Sequence, residues 1–368
     1  MKLPAISVII PLYNVDKYVG ECLDSLLDQT FQDFEVIVVD DCSTDNSVAV
    51  VKNYASKFGG RLKLYHMAKN SGGAGLPRNK GIKLARGEYI YCLDPDDTIT
   101  STALEKMYFV AKDFNADVVA SENCYYIPEN LWDNVAFRKQ LKPFSGRGGQ
   151  YVTKLTLITE DIYERATMFY QGLFVFGAPL KMFRRDFLIK NEINFLDCFA
   201  EDVIFTICVL CSAKRYVLSP DVFYNYRIRE SSTVNSQREV SNLLHRQIKA
   251  LKSGIKYLDE FFSGRVTFSQ RTDLKYIFFE AFSNELLGYL TEIYSQIPIH
   301  ELDKPLQKEF SDGDNVAITA FIFNIMNGYR LKSIQALRQV DELEKINRQN
   351  QAYISELEKF VAQLLPKE

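Results

Sequence analysis

Three carboxylates crowd one turn of this chain: Asp94, Asp96 and Asp97 stand around Pro95, directly after the apolar run Tyr89 to Leu93. The run reads as a buried strand, and the proline stops it. Carboxylates this close repel one another unless a cation sits among them. Asp94 and Asp96, one residue apart, can offer hard oxygens to Mg²⁺ or Mn²⁺, ions that complete their shell with water and substrate phosphates. Read alone, such a turn is equally a solvated helix cap.

Three further clusters could act with it. Asp40 and Asp41 close another apolar run, Glu35 to Val39. A carboxylate at Asp41 could accept a hydrogen bond from the imide N–H of a uracil, which cytosine lacks. Pro11 and Tyr13 end the first run, Ile6 to Leu12, where an aromatic ring could line a base site. Residues 70–81 (NSGGAGLPRNKG) form a glycine-rich loop entering a helix. Such a loop lets the backbone approach an anion, and Arg78 adds a permanently charged fork. It lacks the Lys-Ser/Thr ending of a P-loop. Glu201 and Asp202 precede the apolar stretch Val203 to Leu210. They read as a helix cap or, kept ionised by the helix start, as a general base.

The elements that must position these groups alternate. Strands at Ile6–Leu12, Glu35–Val39, Arg61–Tyr65, Tyr89–Leu93 and Asp117–Ser121 are separated by helical patterns, the last two of them Pro77–Ala85 and Thr102–Phe114. Ser43 to Asp45 are placed to cap the helix that runs to about Phe58. Repeated βα units predict a Rossmann-like α/β fold, with a mostly parallel sheet between layers of helices. In such sheets ligands bind beyond the carboxyl ends of the strands, where the acidic clusters lie. Phe137–Gly149 is basic and glycine-rich and reads as a loop over a site. Phe174–Phe183 is an apolar run. Arg227 and Arg229 alternate on an extended stretch, and the expectation is that they do not both face the core and that one of them meets an anionic group, the donor diphosphate or an acidic acceptor, at an acceptor site between Phe137–Gly149 and Tyr224–Ser232. Residues 241–332 read as helical. Residues 333–368 carry Leu343, Ile346, Asn350, Tyr353, Leu357, Phe360 and Leu364 in alternating steps of three and four. That seam predicts a short coiled coil, with Asn350 favouring a parallel homodimer.

Composition narrows the function. The 368 residues are 47% hydrophobic and 25% charged, as in an ordinary soluble protein. A net charge of −3 gives no general pull toward nucleic acid. Seven cysteines, an odd number without regular spacing, predict reduced thiols and a cytoplasmic setting. Three scattered histidines argue against zinc. No apolar stretch is long enough for a bilayer, which leaves attachment to its inner face open.

Taken together the motifs resemble the family 2 inverting glycosyltransferases of GT-A fold, especially bacterial enzymes of capsule, lipooligosaccharide and polysaccharide synthesis. The likeness is carried by residues 7–14 (SVIIPLYN), 39–45 (VDDCSTD), 78–81 (RNKG) and 93–97 (LDPDD), and more loosely by 179–185, 201–202 and 224–229. It implies a nucleotide-sugar half at 1–127 and an acceptor half at 128–240. Pro11, Tyr13, Asp41 and Arg78 would line the nucleotide site. Asp94 and Asp96 would hold Mg²⁺ or Mn²⁺ on the donor diphosphate, and Asp202 would be the base, with Glu201 its rival. The donor implied is a UDP-sugar, the acceptor a glycan or glycolipid hydroxyl. Cys42 departs from the glycine common at its position. A sugar-nucleotide pyrophosphorylase would carry a basic glycine-rich loop after the first strand, where this chain has Pro11-Leu12-Tyr13-Asn14. A non-catalytic sugar-binding or scaffold protein is the remaining alternative.

Overall fold

The computed structural model describes residues 3–145, 151–229, 240–265, 267–268 and 271–294. The chain divides into a compact unit, Met1–Phe282, and a second, Ser283–Glu368. The predicted coiled coil lies outside the described residues.

The strands of the first unit are β1 (Ile6–Leu12), β2 (Phe34–Asp40), β3 (Leu62–His66), β4 (Tyr89–Cys92), β5 (Thr98–Ile99), β6 (Val118–Ser121), β7 (Asn123–Pro128), β8 (Phe144–Ser145), β9 (Thr156–Leu157), β10 (Lys181–Arg184), β11 (Tyr216–Ser219) and β12 (Tyr224–Ile228). The helices are α1 (Val19–Leu27), α2 (Ser47–Tyr54), α3 (Gly75–Leu84), α4 (Ala103–Asp113), α5 (Val135–Gln140), α6 (Ile162–Tyr170), α7 (Arg185–Lys190), α8 (Glu201–Ser212) and α9 (Val240–Ser263). A tenth, α10 (Thr272–Tyr294), continues from the first unit into the second.

Eight strands form the main sheet in the order β3-β2-β1-β4-β10-β6-β11-β9, and β5-β12-β7-β8 form a smaller one. The predicted mostly parallel α/β sheet is present: β1 runs parallel to β2 and β4, β2 to β3, and β6 to β11. The exceptions are β10, antiparallel to both β4 and β6, and β9. β1, β2 and β4 are buried along their whole lengths, because helices cover both sides of the sheet. Val8, Ile10, Val36, Val38, Tyr89 and Tyr91 share a core with Leu23 and Leu26 of α1 and Leu104 and Met107 of α4. On the opposite side Ile9 meets α3, where only Gly81 allows so close an approach.

Two expectations need correcting. Phe137–Gly149 is not one loop in its described part: Val135–Gln140 is helical, started by Asn134, which accepts the Phe137 N–H, and Phe144 pairs in β8. Arg227 and Arg229 do not face opposite ways. Positions two apart share a face of a strand, and both side chains reach the acidic turn after β4.

Candidate active site

Because β1, β2 and β4 run parallel, the residues that follow them meet at one edge of the sheet. α3 reaches the same edge with its first turn. Gly75 comes so close to Leu196, Phe195 and Glu201 that a Cβ there would lie 3.0 Å from the Leu196 carbonyl oxygen. β10 runs the other way, so the segment entering it also arrives here. α8 begins at this edge and is held at its far end by buried Arg165, which donates to the carbonyls of Leu210 and Ala213. Ala200, immediately before α8, has φ of 61°. A side chain in that left-handed region costs about 1–2 kcal/mol, strain located where Glu201 and Asp202 are aimed.

Arg78 is the hub. Its Nη2 donates to Asp94 Oδ1 at 2.8 Å, and its Nη1 to Asp202 Oδ1 at 3.0 Å and Glu201 Oε1 at 3.4 Å. The guanidinium is buried and faces the Phe195 ring at 5.2 Å, which in turn stacks on Phe205 at 3.9 Å. Burial alone would lower its pKa, but Asp202, Asp94 and Glu201 together raise it well above the ordinary value. One guanidinium thus ties the end of β4 to the start of α8, more than a hundred residues apart in sequence.

The acids respond to their setting. Burial, then Asp202, pushes Glu201 up to about 7. Burial also raises Asp202, against the pull of Arg78 and an N–H donated by Ala178. Asp96 is raised by burial and by Asp94, against Arg229, whose Nη2 lies 2.5 Å from Asp96 Oδ2. Asp97 is raised well above its usual range by burial and by both neighbouring acids. It is an internal anchor, accepting from the Tyr224 hydroxyl at 2.6 Å and the Arg227 N–H at 2.7 Å. Arg227 is locked: it donates to the Asp96 carbonyl and to Glu21, and lies 3.6 Å over the Trp132 ring.

At the end of β2 the two acids part. Asp40 turns to His66 Nδ1 at 2.9 Å and accepts the Ser43 N–H. Asp41 is buried and accepts the Ser71 N–H, at 3.0 Å to each carboxylate oxygen, and the Ser71 hydroxyl at 2.8 Å. Its pKa is raised by burial, with the Ser71 hydrogen bonds opposing. Pro11 is buried within β1, while Tyr13 just beyond it is half exposed. Cys42 has φ of 66°, the left-handed conformation that glycine adopts without cost. Asp45 caps the start of α2 through the Ser47 N–H, as its sequence position suggests.

The structure therefore joins Arg78 to Asp94, Glu201 and Asp202, and sets Asp96 beside Asp94. Sequence reasoning missed Ser71, although it lies in the loop already singled out, and Phe195, for which the sequence holds no signal. Among the described residues no three His, Cys, Asp or Glu side chains form a metal cage. Mg²⁺ does not need one when one or two carboxylates and substrate phosphates complete its shell. Asp94 and Asp96 stand together at this turn, and burial beside Asp94 raises the pKa of Asp96, a crowding that suits that kind of site.

The sheet and its acid–arginine edge define a glycosyltransferase-type GT-A fold. The chain covers 89% of itself and 92% of the crystal structure of S. aureus TarS 1-349 in complex with UDP-GlcNAc, with a TM-score of 0.56 and 25% identity. It is 34% identical over 229 residues to the poly(ribitol-phosphate) beta-glucosyltransferase of Bacillus spizizenii, 61% of this chain and 32% of that protein. It is 31% identical over 234 residues to the poly(ribitol-phosphate) beta-N-acetylglucosaminyltransferase TarP of Staphylococcus aureus, 62% of this chain and 64% of that one. The match to the glycosyltransferase GlyG of Streptococcus pneumoniae, 31% over 243 residues, covers 75% of GlyG. The chain thus spans from about a third to just under two thirds of the first two relatives. The family model described as "Glycosyl transferase family 2" matches residues 7–190, and the chain belongs to that family. Membership sets aside the pyrophosphorylase alternative. Among the described residues no helix is long and apolar enough to cross a membrane.

Proposed function

We propose that the chain transfers a sugar, with inversion, from a UDP-sugar to a hydroxyl of a growing bacterial surface glycan or glycolipid. The observation that carries this reading is the Arg78 bridge, which gathers a diphosphate-side acid, Asp94, and two candidate bases, Glu201 and Asp202, around one cation. Residues 1–127 serve the donor and 128–240 the acceptor. Asp41 accepts the uracil imide N–H, Tyr13 and Pro11 border the base, and Arg78 faces the diphosphate. Asp202 removes the acceptor proton as that oxygen attacks the anomeric carbon, while Glu201 shares its charge environment. Asp94 and Asp96 would hold Mg²⁺ or Mn²⁺, which would offset charge gathering on the departing diphosphate. No covalent intermediate is needed, so no Ser or Cys nucleophile is invoked.

The UDP assignment is supported by the Asp41 geometry and by the TarS relative, whose structure holds UDP-GlcNAc. Two relatives are named for poly(ribitol-phosphate), which supports a polyhydroxyl surface polymer as acceptor. We place the reaction in the cytoplasm, at the inner membrane face where the acceptor is a glycolipid, and infer a homodimer through the terminal heptads. Calorimetry tests the donor reading. UDP should bind more tightly than CDP, Mg²⁺ or Mn²⁺ should strengthen it, and Asp41→Asn should erase the preference. Equal affinity for the two nucleotides, or for UDP with metal and with chelator, overturns the corresponding assignment.

A further inference from the structure

Lys181 is a buried cation that the reaction described above leaves unused. It opens β10, where Met182 and Phe183 beside it are apolar core, and it is itself 1% exposed. An ammonium in such a place is costly unless it is hydrogen-bonded, and an apolar side chain of similar length would serve packing as well. Burial lowers its pKa, with the charges of Glu122 and Asp202 opposing. Its Nζ donates to the carbonyl of Val175 at 2.5 Å and to that of Gly177 at 3.0 Å.

The second of these bonds leads to the active site. The Gly177 carbonyl and the Ala178 N–H belong to one planar peptide group, and across its trans bond they point opposite ways. The N–H end of that group donates to Asp202. One rigid unit therefore carries a buried ammonium on its oxygen and the candidate base on its hydrogen, and each hydrogen bond polarises the other. The peptides leading up to it are gripped as well. Glu122 accepts the Val175 N–H at 2.6 Å, and Thr206, one turn beyond Asp202 on α8, donates to the Phe176 carbonyl at 2.9 Å. Arg78 reaches the Asp202 carboxylate from α3. Donors from two separate parts of the chain thus fix that carboxylate, and Lys181 stands behind one of them.

Resting on the assignment of Asp202 as the base, we propose that Lys181 is a positioning residue for it: by holding the Gly177–Ala178 peptide, its ammonium aims and strengthens the hydrogen bond that sets the Asp202 carboxylate toward the acceptor. Lys181 touches neither donor nor acceptor in this scheme. Its influence on turnover passes through Asp202 alone.

The test is release of UDP from UDP-glucose and UDP-N-acetylglucosamine by the full chain, with water as acceptor, beside UDP calorimetry. Lys181→Met removes the ammonium at nearly constant length. It should lower kcat on the order of 10–100-fold, the worth of one hydrogen bond to a charged group, and leave the donor KM and UDP affinity unchanged. In an Asp202→Asn background the same substitution should cost nothing further, because its effect runs through the carboxylate. A lysine that merely supports the fold would weaken UDP binding too, or add its loss to that of Asp202→Asn, and either result overturns the proposal. Should Lys181→Met fold poorly, Lys181→Met/Glu122→Gln removes both buried charges at similar volume and is held to the same outcomes. Wild-type kcat in Lys181→Met, beside an impaired Asp202→Asn, overturns the Lys181 role and leaves the base assignment standing. Normal kcat in Asp202→Asn removes the base assignment and this proposal with it.

Discussion

Replacing Arg78 by methionine separates its two duties, cohesion and chemistry, in one variant. The guanidinium is 3% exposed, while its partners Asp94, Glu201 and Asp202 are 27%, 19% and 27% exposed. Removing one member of a buried ion pair costs about 3–5 kcal/mol. The partial hydration of the three acids places Arg78→Met at the low end, about 3 kcal/mol. With a urea dependence of about 3 kcal/mol per molar, the unfolding midpoint should fall by about 1 M. The loss should also depend on pH. Without Arg78 the pKa values of Glu201 and Asp202, already raised, rise further. A carboxyl whose folded pKa exceeds its unfolded one contributes stability below the unfolded pKa and loses it as pH rises through the folded value. The gap between variant and wild type should therefore be widest near pH 8 and narrow toward pH 5, since Glu201 already titrates at about 7 with Arg78 present. Urea titrations at pH 5, 6.5 and 8 measure this. Equal midpoints at pH 8, or a gap that widens on acidification, would refute the view of Arg78 as the counter-charge of the cluster.

Asp202→Asn should leave UDP affinity nearly unchanged and lower transfer by a factor on the order of 10²–10⁴, while Glu201→Gln should keep most of it. If transfer instead survives in Asp202→Asn, dies in Glu201→Gln, and follows an acid limb near pH 7 in wild type, Glu201 is the base. Gly81→Ala would put a Cβ 2.3 Å from Ile9 Cγ2, forcing α3 off β1 at a cost of about 1–3 kcal/mol. Both the urea midpoint and UDP affinity should drop, and normal values for both would contradict the described packing. A chain ending at Lys332 should be monomeric by light scattering where the full chain is dimeric, and two monomers would end the coiled-coil reading.

Much of this was legible because the strands beneath the site are plain. β1, β2 and β4 are unbroken apolar runs, and parallel pairing carries whatever follows each of them to a common edge. That is why Asp41 and Asp94 could be grouped from sequence. Arg78 was visible as a helix-start cation, but its bridge to α8 depends on the close approach of Gly75 to the 195–201 segment, which no local pattern encodes. The run Phe174–Phe183 concealed a short turn and the start of β10, because Lys181 is buried there with its ammonium spent on the carbonyls of Val175 and Gly177. Ser71 looked like one more loop residue, and only the fold brings it under Asp41. The arginine in β12 and the one just after it were misjudged for a simpler reason: a period of two puts Arg227 and Arg229 on the same side.

The reversed strand β10 has a consequence for the birth of the protein. On the ribosome β1, β2, β3 and β4 are complete long before residues 181–184 emerge. At ~5–20 residues per second the outer edge of β4 waits roughly 5–20 s for its partner. Throughout that interval Tyr89–Cys92 presents open backbone hydrogen-bonding groups with wholly apolar flanks. β6, made in the meantime, is a ready but wrong neighbour, since direct β4–β6 pairing would shut β10 out of the sheet. The nascent chain is most exposed to misassembly, and most in need of a chaperone, between the synthesis of the donor half and the arrival of that single four-residue strand.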